Sequence, residues 1–197
     1  HALTKYPSGG GDVLMGSVIT RDEALHIRLK LSRMRLGFGV GVNDVETILR
    51  ALPSMPLRYA EHDRSARALA LWCQRQAEIV QVLHPALPDS PGNAHWQAMC
   101  KNMPTKEGGA AGLFSILLDP QFTTVQVHAF CDALCLFKIG YSWGGPISLV
   151  VPYDLSSMRT VWPVHLKQGH LVRFSVGLEA VADLQADLAL ALESALR

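Results

Sequence analysis

The first twelve residues hold the densest chemistry in the chain. In Ala2-Leu3-Thr4-Lys5-Tyr6-Pro7-Ser8-Gly9-Gly10-Gly11-Asp12 a lysine follows a threonine and precedes an aromatic and a run of glycines. This order sets an amine and a hydroxyl beside backbone free to approach a ligand closely. A small molecule carrying an aldehyde and a phosphate suits that pair, and a solvated loop is the competing reading. Other groupings are weaker. His128, Cys131 and Cys135 have the three- and four-residue spacing that stacks metal ligands on one helix face. The two cysteines sit in an apolar segment with no second pair to complete a set, so no metal is assigned. Glu61-His62-Asp63-Arg64 resembles an acid–base cluster, but four consecutive helical residues point in four directions and read better as local ion pairing. Arg28, Lys30, Arg33 and Arg35 form a basic run that is either an anion-binding face or a solvated helix face.

Composition narrows the classes. The chain has 197 residues, enough for one good core or two small domains. A hydrophobic fraction of 49% with 18% charged residues is that of an ordinary globular protein rather than a disordered one. Eighteen basic against seventeen acidic residues leave +1, which favours neither nucleic acid nor an anionic membrane as partner. No apolar run reaches transmembrane length and no signal-peptide pattern is seen. Cys73, Cys100, Cys131 and Cys135 are too few and dispersed for a disulfide framework and read as free thiols in a reducing cytoplasm. The chain begins at His1, without a methionine and almost on top of the candidate reactive lysine, where a site needs walls on both sides. The expectation is the C-terminal half of a longer polypeptide.

Periodicity supplies the elements that must position these residues. The apolar run Val13–Thr20 predicts a buried strand, and Asp22 caps a helix from Glu23 to about Leu36. Asn43-Asp44 opens a second helix through Leu52, and a third, Leu57 to Val80, is long enough to bridge two domains. At Val80 the pattern changes to short strands and turns. Strands are predicted at Val80–Leu83, Gly112–Leu118, Leu136–Tyr141, Ser148–Val151 and Leu171–Val176. Helices are predicted from Thr123 to about Leu134 and over Ala180–Leu196, with a turn-rich connection from His84 to Gly92. The resulting architecture is α/β, with a mostly antiparallel sheet covered on one face.

Four stretches in register resemble one family. They are Thr4-Lys5-Tyr6 with Asp12 and Val13-Leu14-Met15-Gly16; His84-Pro85-Ala86-Leu87-Pro88 with Gly92, Trp96 and Gly112-Leu113-Phe114-Ser115; Tyr141-Ser142-Trp143-Gly144-Gly145 with Ser148-Leu149; and Arg173-Phe174-Ser175-Val176-Gly177-Leu178-Glu179 with Asp183-Leu184 and Asp187-Leu188. Together they resemble the C-terminal half of the Cys/Met-metabolism family of pyridoxal-phosphate enzymes, from Ala2 to the end of the chain. Ser142-Trp143-Gly144-Gly145 and His84-Pro85-Ala86-Leu87 match its cystathionine β-lyase branch rather than the γ-lyases and γ-synthases.

The resemblance implies a fold type I, aminotransferase-like enzyme. Residues 1–79 would be the end of the cofactor-binding large domain with its linking helix, and 80–197 a small α/β domain. It implies pyridoxal 5'-phosphate held covalently by Lys5, with Thr4 as a phosphate ligand. Lys5 would also take the substrate's α-proton. Arg173 would grip the substrate carboxylate with its planar fork, with Ser142 and Trp143 beside it and Tyr141 lining the cavity. Without the resemblance, Arg173 reads as pairing with a surface acid and Trp143 as core filling. The implied reaction cleaves cystathionine to homocysteine, pyruvate and ammonia, in methionine biosynthesis, by a cytoplasmic homotetramer. An isolated piece of such an enzyme would be inactive; a non-catalytic binding or assembly module and a γ-lyase or γ-synthase are the alternatives. The chain departs from the family pattern in having Ala2 and Leu3 where a serine is common, Gly9-Gly10-Gly11 where Gly-His-Ser is usual, and Ile147 where glutamate is frequent.

Overall fold

Alternation of buried and half-exposed side chains along Leu113–Leu118 and His170–Ser175 builds the centre of a sheet with one dry face. The computed structural model describes residues 1–100 and 109–197. Its elements are α1 (Glu23–Arg35), α2 (Val42–Ala51), a 3-10 turn at Leu52–Ser54, α3 (Met55–Cys73), β1 (Ile79–Leu83), α4 (Asn93–Cys100) and β2 (Leu113–Leu118). There follow α5 (Thr124–Ala133), β3 (Lys138–Ile139), β4 (Leu149–Tyr153), α6 (Leu155–Met158), β5 (His170–Ser175) and α7 (Val181–Leu196). The strand order is β1-β2-β5-β4-β3, antiparallel throughout except for the β3–β4 pair. The expected α/β class and mostly antiparallel sheet are therefore present.

One face of the sheet carries the core. Phe114, Ile116 and Leu118 of β2, Val150 of β4 and Val172 and Phe174 of β5 meet Ala66, Leu69 and Ala70 of α3, Val127 and Phe130 of α5, and Leu184, Leu188 and Leu192 of α7. Phe174 stacks on Phe114 and takes Phe137 edge-on, both at 5.1 Å. Helix α5 starts where Thr123 and Gln126 form a capping box. The opposite face carries Ser115 and Val151 on either side of Arg173.

Two buried polar latches set the sheet's upper edge. Asp187 of α7 accepts from the amides of Cys135, Leu136 and Phe137 at 2.8, 2.9 and 3.4 Å, fixing the approach to β3. Ser148 donates its hydroxyl to Glu179 at 2.8 Å and its amide to the other carboxylate oxygen at 2.8 Å, while its Oγ accepts from Gly177 N at 2.8 Å. The turn before β4 is thereby tied to the end of β5.

Several expectations are corrected. Residues 13–20 form no strand: Val13 is buried, but Leu14 is 92% and Ile19 90% exposed, and the stretch makes one bridge, Ala2 to Gly16. An apolar run becomes a strand only where another strand pairs it along its length, and among the described residues this stretch makes only that single bridge. Helix α3 stops at Cys73 because the chain must turn at Gln74–Ala77 to enter β1. The strand expected at Leu136–Tyr141 shrinks to Lys138–Ile139, the two residues in register with β4. Helices α4 and α6 were not anticipated, being short and without a clear apolar stripe.

Replacing Asp187 with Ala leaves three amides without their acceptor. We expect a loss of about 3 kcal/mol, read as a lower urea midpoint with an unchanged slope.

Candidate active site

Tyr6 is where the parts of the site meet. Its hydroxyl accepts from Gly112 N at 2.9 Å, and its carbonyl accepts from Arg58 Nη1 at 2.8 Å. Its ring meets Tyr59 and His62 of α3 edge-on at 5.2 and 5.4 Å. Gly144, at φ 76°, packs so closely on the other side that a Cβ there would stand 2.9 Å from Tyr6 N and 3.2 Å from its ring. The N-terminal loop, α3, the start of β2 and the Trp143–Gly145 turn thus share one residue. Burial pushes the Tyr6 hydroxyl's pKa up, opposed by the Gly112 bond.

Lys5 is presented by this arrangement. Its Nζ donates to Ser142 Oγ at 3.0 Å and lies 4.3 Å from the centroid of the Trp143 ring. Ser8 Oγ, 2.7 Å from Thr4 O and 3.1 Å from Lys5 O, holds the backbone carrying both residues and accepts from Gly11 N at 3.0 Å. The Thr4 hydroxyl accepts from Met15 N at 3.2 Å and makes a long 3.4 Å donation to Met15 O. That second bond is weak enough for a phosphate oxygen to displace, because charge-assisted bonds are the stronger.

Arg173 reaches the same aromatic wall from β5. Its guanidinium carbon is 5.8 Å from the Trp143 centroid and 5.7 Å from that of Tyr153, and Nη2 donates to Tyr141 O at 2.8 Å. Among the described residues no carboxylate forms an ion pair with it. Lys5, Ser142, Trp143 and Arg173, distant in sequence, therefore lie together. Tyr141 takes part through its carbonyl, its side chain being largely exposed. Sequence reasoning missed Tyr153, Tyr6 and His62 as parts of the arrangement. The two-residue alternation along β4 could have found Tyr153, which shares a face with Val151, the partner of Arg173.

Behind Tyr6, His62 is fully buried on α3; its Nδ1–H donates to Val176 O at 2.6 Å, and its Nε2 has no partner. Farther along, His84 is also fully buried, and its Nδ1 accepts from Ala86 N at 3.3 Å. Burial, with Arg67 nearby and Asp63 opposing, pushes the His84 pKa down to about 4, and burial lowers that of His62 too. Asp63 accepts from both ends of the Arg67 guanidinium and from Ala110 N, so the Glu61–Arg64 stretch is indeed used for ion pairing.

The donor set fits a pyridoxal-type group at its aldehyde end. A partly buried amine lies beside a hydroxyl and a ring face, tied to no carboxylate among the described residues, with the Thr4 hydroxyl on the preceding residue.

Comparison with known proteins agrees. A family model described as "Cys/Met metabolism PLP-dependent enzyme" matches residues 1–193. The chain is 40% identical over 191 residues to a protein named putative cystathionine beta-lyase from Rhizobium johnstonii, covering 95% of this chain and 46% of that one. It is 39% identical over 202 residues to the cystathionine beta-lyase of Bordetella avium, covering 98% and 47%. A crystal structure of cystathionine gamma synthase from Xanthomonas oryzae pv. oryzae, in complex with aminoacrylate and cysteine, matches with a TM-score of 0.80 and 30% identity over 99% of this chain and 49% of that one. The chain spans about half the length of the curated relatives it matches.

Two predictions follow from the site's geometry. Replacing Gly144 with Ala forces a side chain onto Tyr6 and strains a left-handed backbone. We expect a loss of about 1–3 kcal/mol and a changed Trp fluorescence as Trp143 moves off Lys5. The second concerns pH. A buried histidine with a lowered folded-state pKa contributes stability that is fully present above its unfolded value near 6.5 and is lost as pH falls through its folded value. For His84, unfolding free energy should therefore fall between pH 6.5 and about 4, by up to about 1.4 kcal/mol per pH unit. In His84→Asn, whose amide oxygen can still accept from Ala86 N, urea melts across that window should show a shallower slope.

Proposed function

The chain belongs to the Cys/Met metabolism PLP-dependent enzymes, and from that membership we propose that it carries the lysine and the carboxylate grip of a carbon–sulfur β-lyase acting on cystathionine. The observation that supports this most directly is the meeting of Lys5 Nζ and the Arg173 guanidinium at one ring, that of Trp143, with Ser142 Oγ 3.0 Å from the lysine.

In this reading Lys5 holds the cofactor at its aldehyde and Thr4 donates to the phosphate. When bound, pyridoxal phosphate supplies an electron sink for the charge left on the substrate's α-carbon. Arg173 binds the α-carboxylate through two parallel N–H donors, which fixes the α-carbon relative to the amine. Lys5, once its amine is freed by the incoming substrate amine, takes the α-proton. Ser142 Oγ accepts from the Lys5 ammonium, and Trp143 keeps water from the space between the two cations. Breaking of the Cβ–S bond then releases the β-substituent as a thiolate, which takes up a proton to give homocysteine, and hydrolysis of the remaining three-carbon fragment by one water gives pyruvate and ammonia. The described residues supply the amine, Thr4 and Arg173 but no group assigned to the pyridine nitrogen. We propose accordingly that residues 1–197 alone turn over no substrate, and that the active assembly is a homotetramer, cytoplasmic and serving methionine biosynthesis. Among the described residues no helix is long and apolar enough to cross a membrane.

A γ-synthase or γ-lyase reading is favoured by one observation, the close match to the Xanthomonas cystathionine gamma synthase. Scission at the γ-carbon releases 2-oxobutyrate from cystathionine and scission at the β-carbon releases pyruvate, so the keto acid formed separates the readings.

The first experiment is reductive trapping. With pyridoxal phosphate and then borohydride, we expect mass spectrometry to find the reduced adduct on Lys5 in preference to the other lysines of the 197-residue chain. In any assembly of this chain that releases pyruvate from cystathionine, Lys5→Ala should lower the rate by about 10²–10⁴-fold. Adducts spread evenly over surface lysines would refute the assignment and leave a non-catalytic binding module as the better reading.

A further inference from the structure

Tyr153 has no role in the site so far, yet its ring is one of the two that face Arg173. Arg173 stands in the middle of β5, with Val151 of β4 directly across and Tyr153 two residues farther along the same face. A side chain at that offset reaches its neighbour diagonally. The guanidinium carbon is 5.7 Å from the Tyr153 centroid, a cation–π distance. The Trp143 ring at 5.8 Å gives the second wall, but that ring also faces Lys5 Nζ at 4.3 Å. Tyr153 is thus the aromatic wall that Arg173 does not share with the lysine. The Tyr153 ring is itself steadied by Tyr141, which meets it edge-on at 6.2 Å and whose carbonyl accepts from Arg173 Nη2 at 2.8 Å.

We propose that Tyr153 is a positioning residue, holding the Arg173 guanidinium so that its remaining N–H donors face the carboxylate of an amino-acid ligand. The proposal rests on the reading of Arg173 as the carboxylate grip. An arginine fixed by an acid would arrive at the ligand with its charge already matched, and a free one would have to be ordered by the ligand. An aromatic wall orders the side chain and leaves its charge unmatched, so the ligand gains the full charge-assisted contact without paying for the ordering.

The test uses the complete 197-residue chain, isotopically labelled, with propionate as a carboxylate probe that needs neither the cofactor nor Lys5. In the wild type, the Arg173 Nε–H resonance should carry a ring-current shift and should move as propionate is added. Tyr153→Phe keeps the ring and should bind propionate within two-fold of wild type. Tyr153→Leu should lose much of the ring-current shift and bind about five-fold more weakly. Propionate binding by the Leu variant equal to wild type, or weakening in the Phe variant equal to that in the Leu variant, would overturn the proposal. If the Leu variant does not fold, Tyr153→Met takes its place with the same losses expected, its shift relative to wild type separating the Tyr153 ring from that of Trp143, and a wild-type Nε–H without a ring-current shift overturns the contact. A wild-type Arg173 signal that is ring-shifted but indifferent to propionate overturns the carboxylate-grip reading and this proposal with it. Failure of borohydride trapping on Lys5 with propionate binding intact overturns only the lysine assignment.

Discussion

The contact on which the site depends is that between the backbone of Gly144 and Tyr6. No side chain fits between them, so the Trp143–Gly145 turn can approach the N-terminal loop to van der Waals distance. The approach brings Ser142 and Trp143 to Lys5, which lies in the loop immediately before Tyr6. Tyr6 is held in turn by bonds that leave it little freedom, its hydroxyl on Gly112 and its carbonyl on Arg58. The position of Lys5 is therefore set by its neighbour in the chain, Tyr6.

The core and the polar latches serve the same end from the other side. Phe114, Phe137 and Phe174 fix β5 against the helices, and with it the strand position from which Arg173 projects on the opposite face. Asp187 and Glu179, both on or just before the last helix, hold the two ends of the segment that carries Tyr141, Ser142 and Trp143. Buried Asp187, accepting three amides, and half-buried Glu179, accepting the amide and hydroxyl of Ser148, are well satisfied and resist rearrangement. One helix region thus anchors the turn, and one sheet anchors the arginine.

The surface tells a different story over residues 14–57. Leu14, Val18, Ile19, Met34, Phe38, Val42 and Leu57 are exposed, and α1 buries nothing. A helix of this length draws most of its stability from packing rather than propensity. The stretch contrasts with residues 109–197, whose apolar side chains close on one another around the sheet.

Local signals were sufficient for much of this fold. The Asp22 and Thr123 caps, the helical period of α7 and the alternation of β2 and β5 are set by neighbours a few residues apart, and the sequence displays them directly. Lys5 with Thr4, the Ser142-Trp143 pair and Arg173 stand out in the sequence as candidates, because each carries distinctive chemistry in its own side chain and the motifs stand in a recognisable order; that Lys5, Ser142, Trp143 and Arg173 lie together is seen only in the structure. What the sequence could not determine was which segments find partners. The apolar run at 13–20 looks like a strand but, among the described residues, makes only a single isolated bridge, from Gly16 to Ala2. Tyr6, Tyr153 and His62 matter through the company they keep, Tyr6 with Gly112 and Gly144, Tyr153 with Arg173, and His62 with Val176. Those contacts join residues as much as 138 positions apart (Tyr6 and Gly144), and such proximity is fixed only when the whole chain packs.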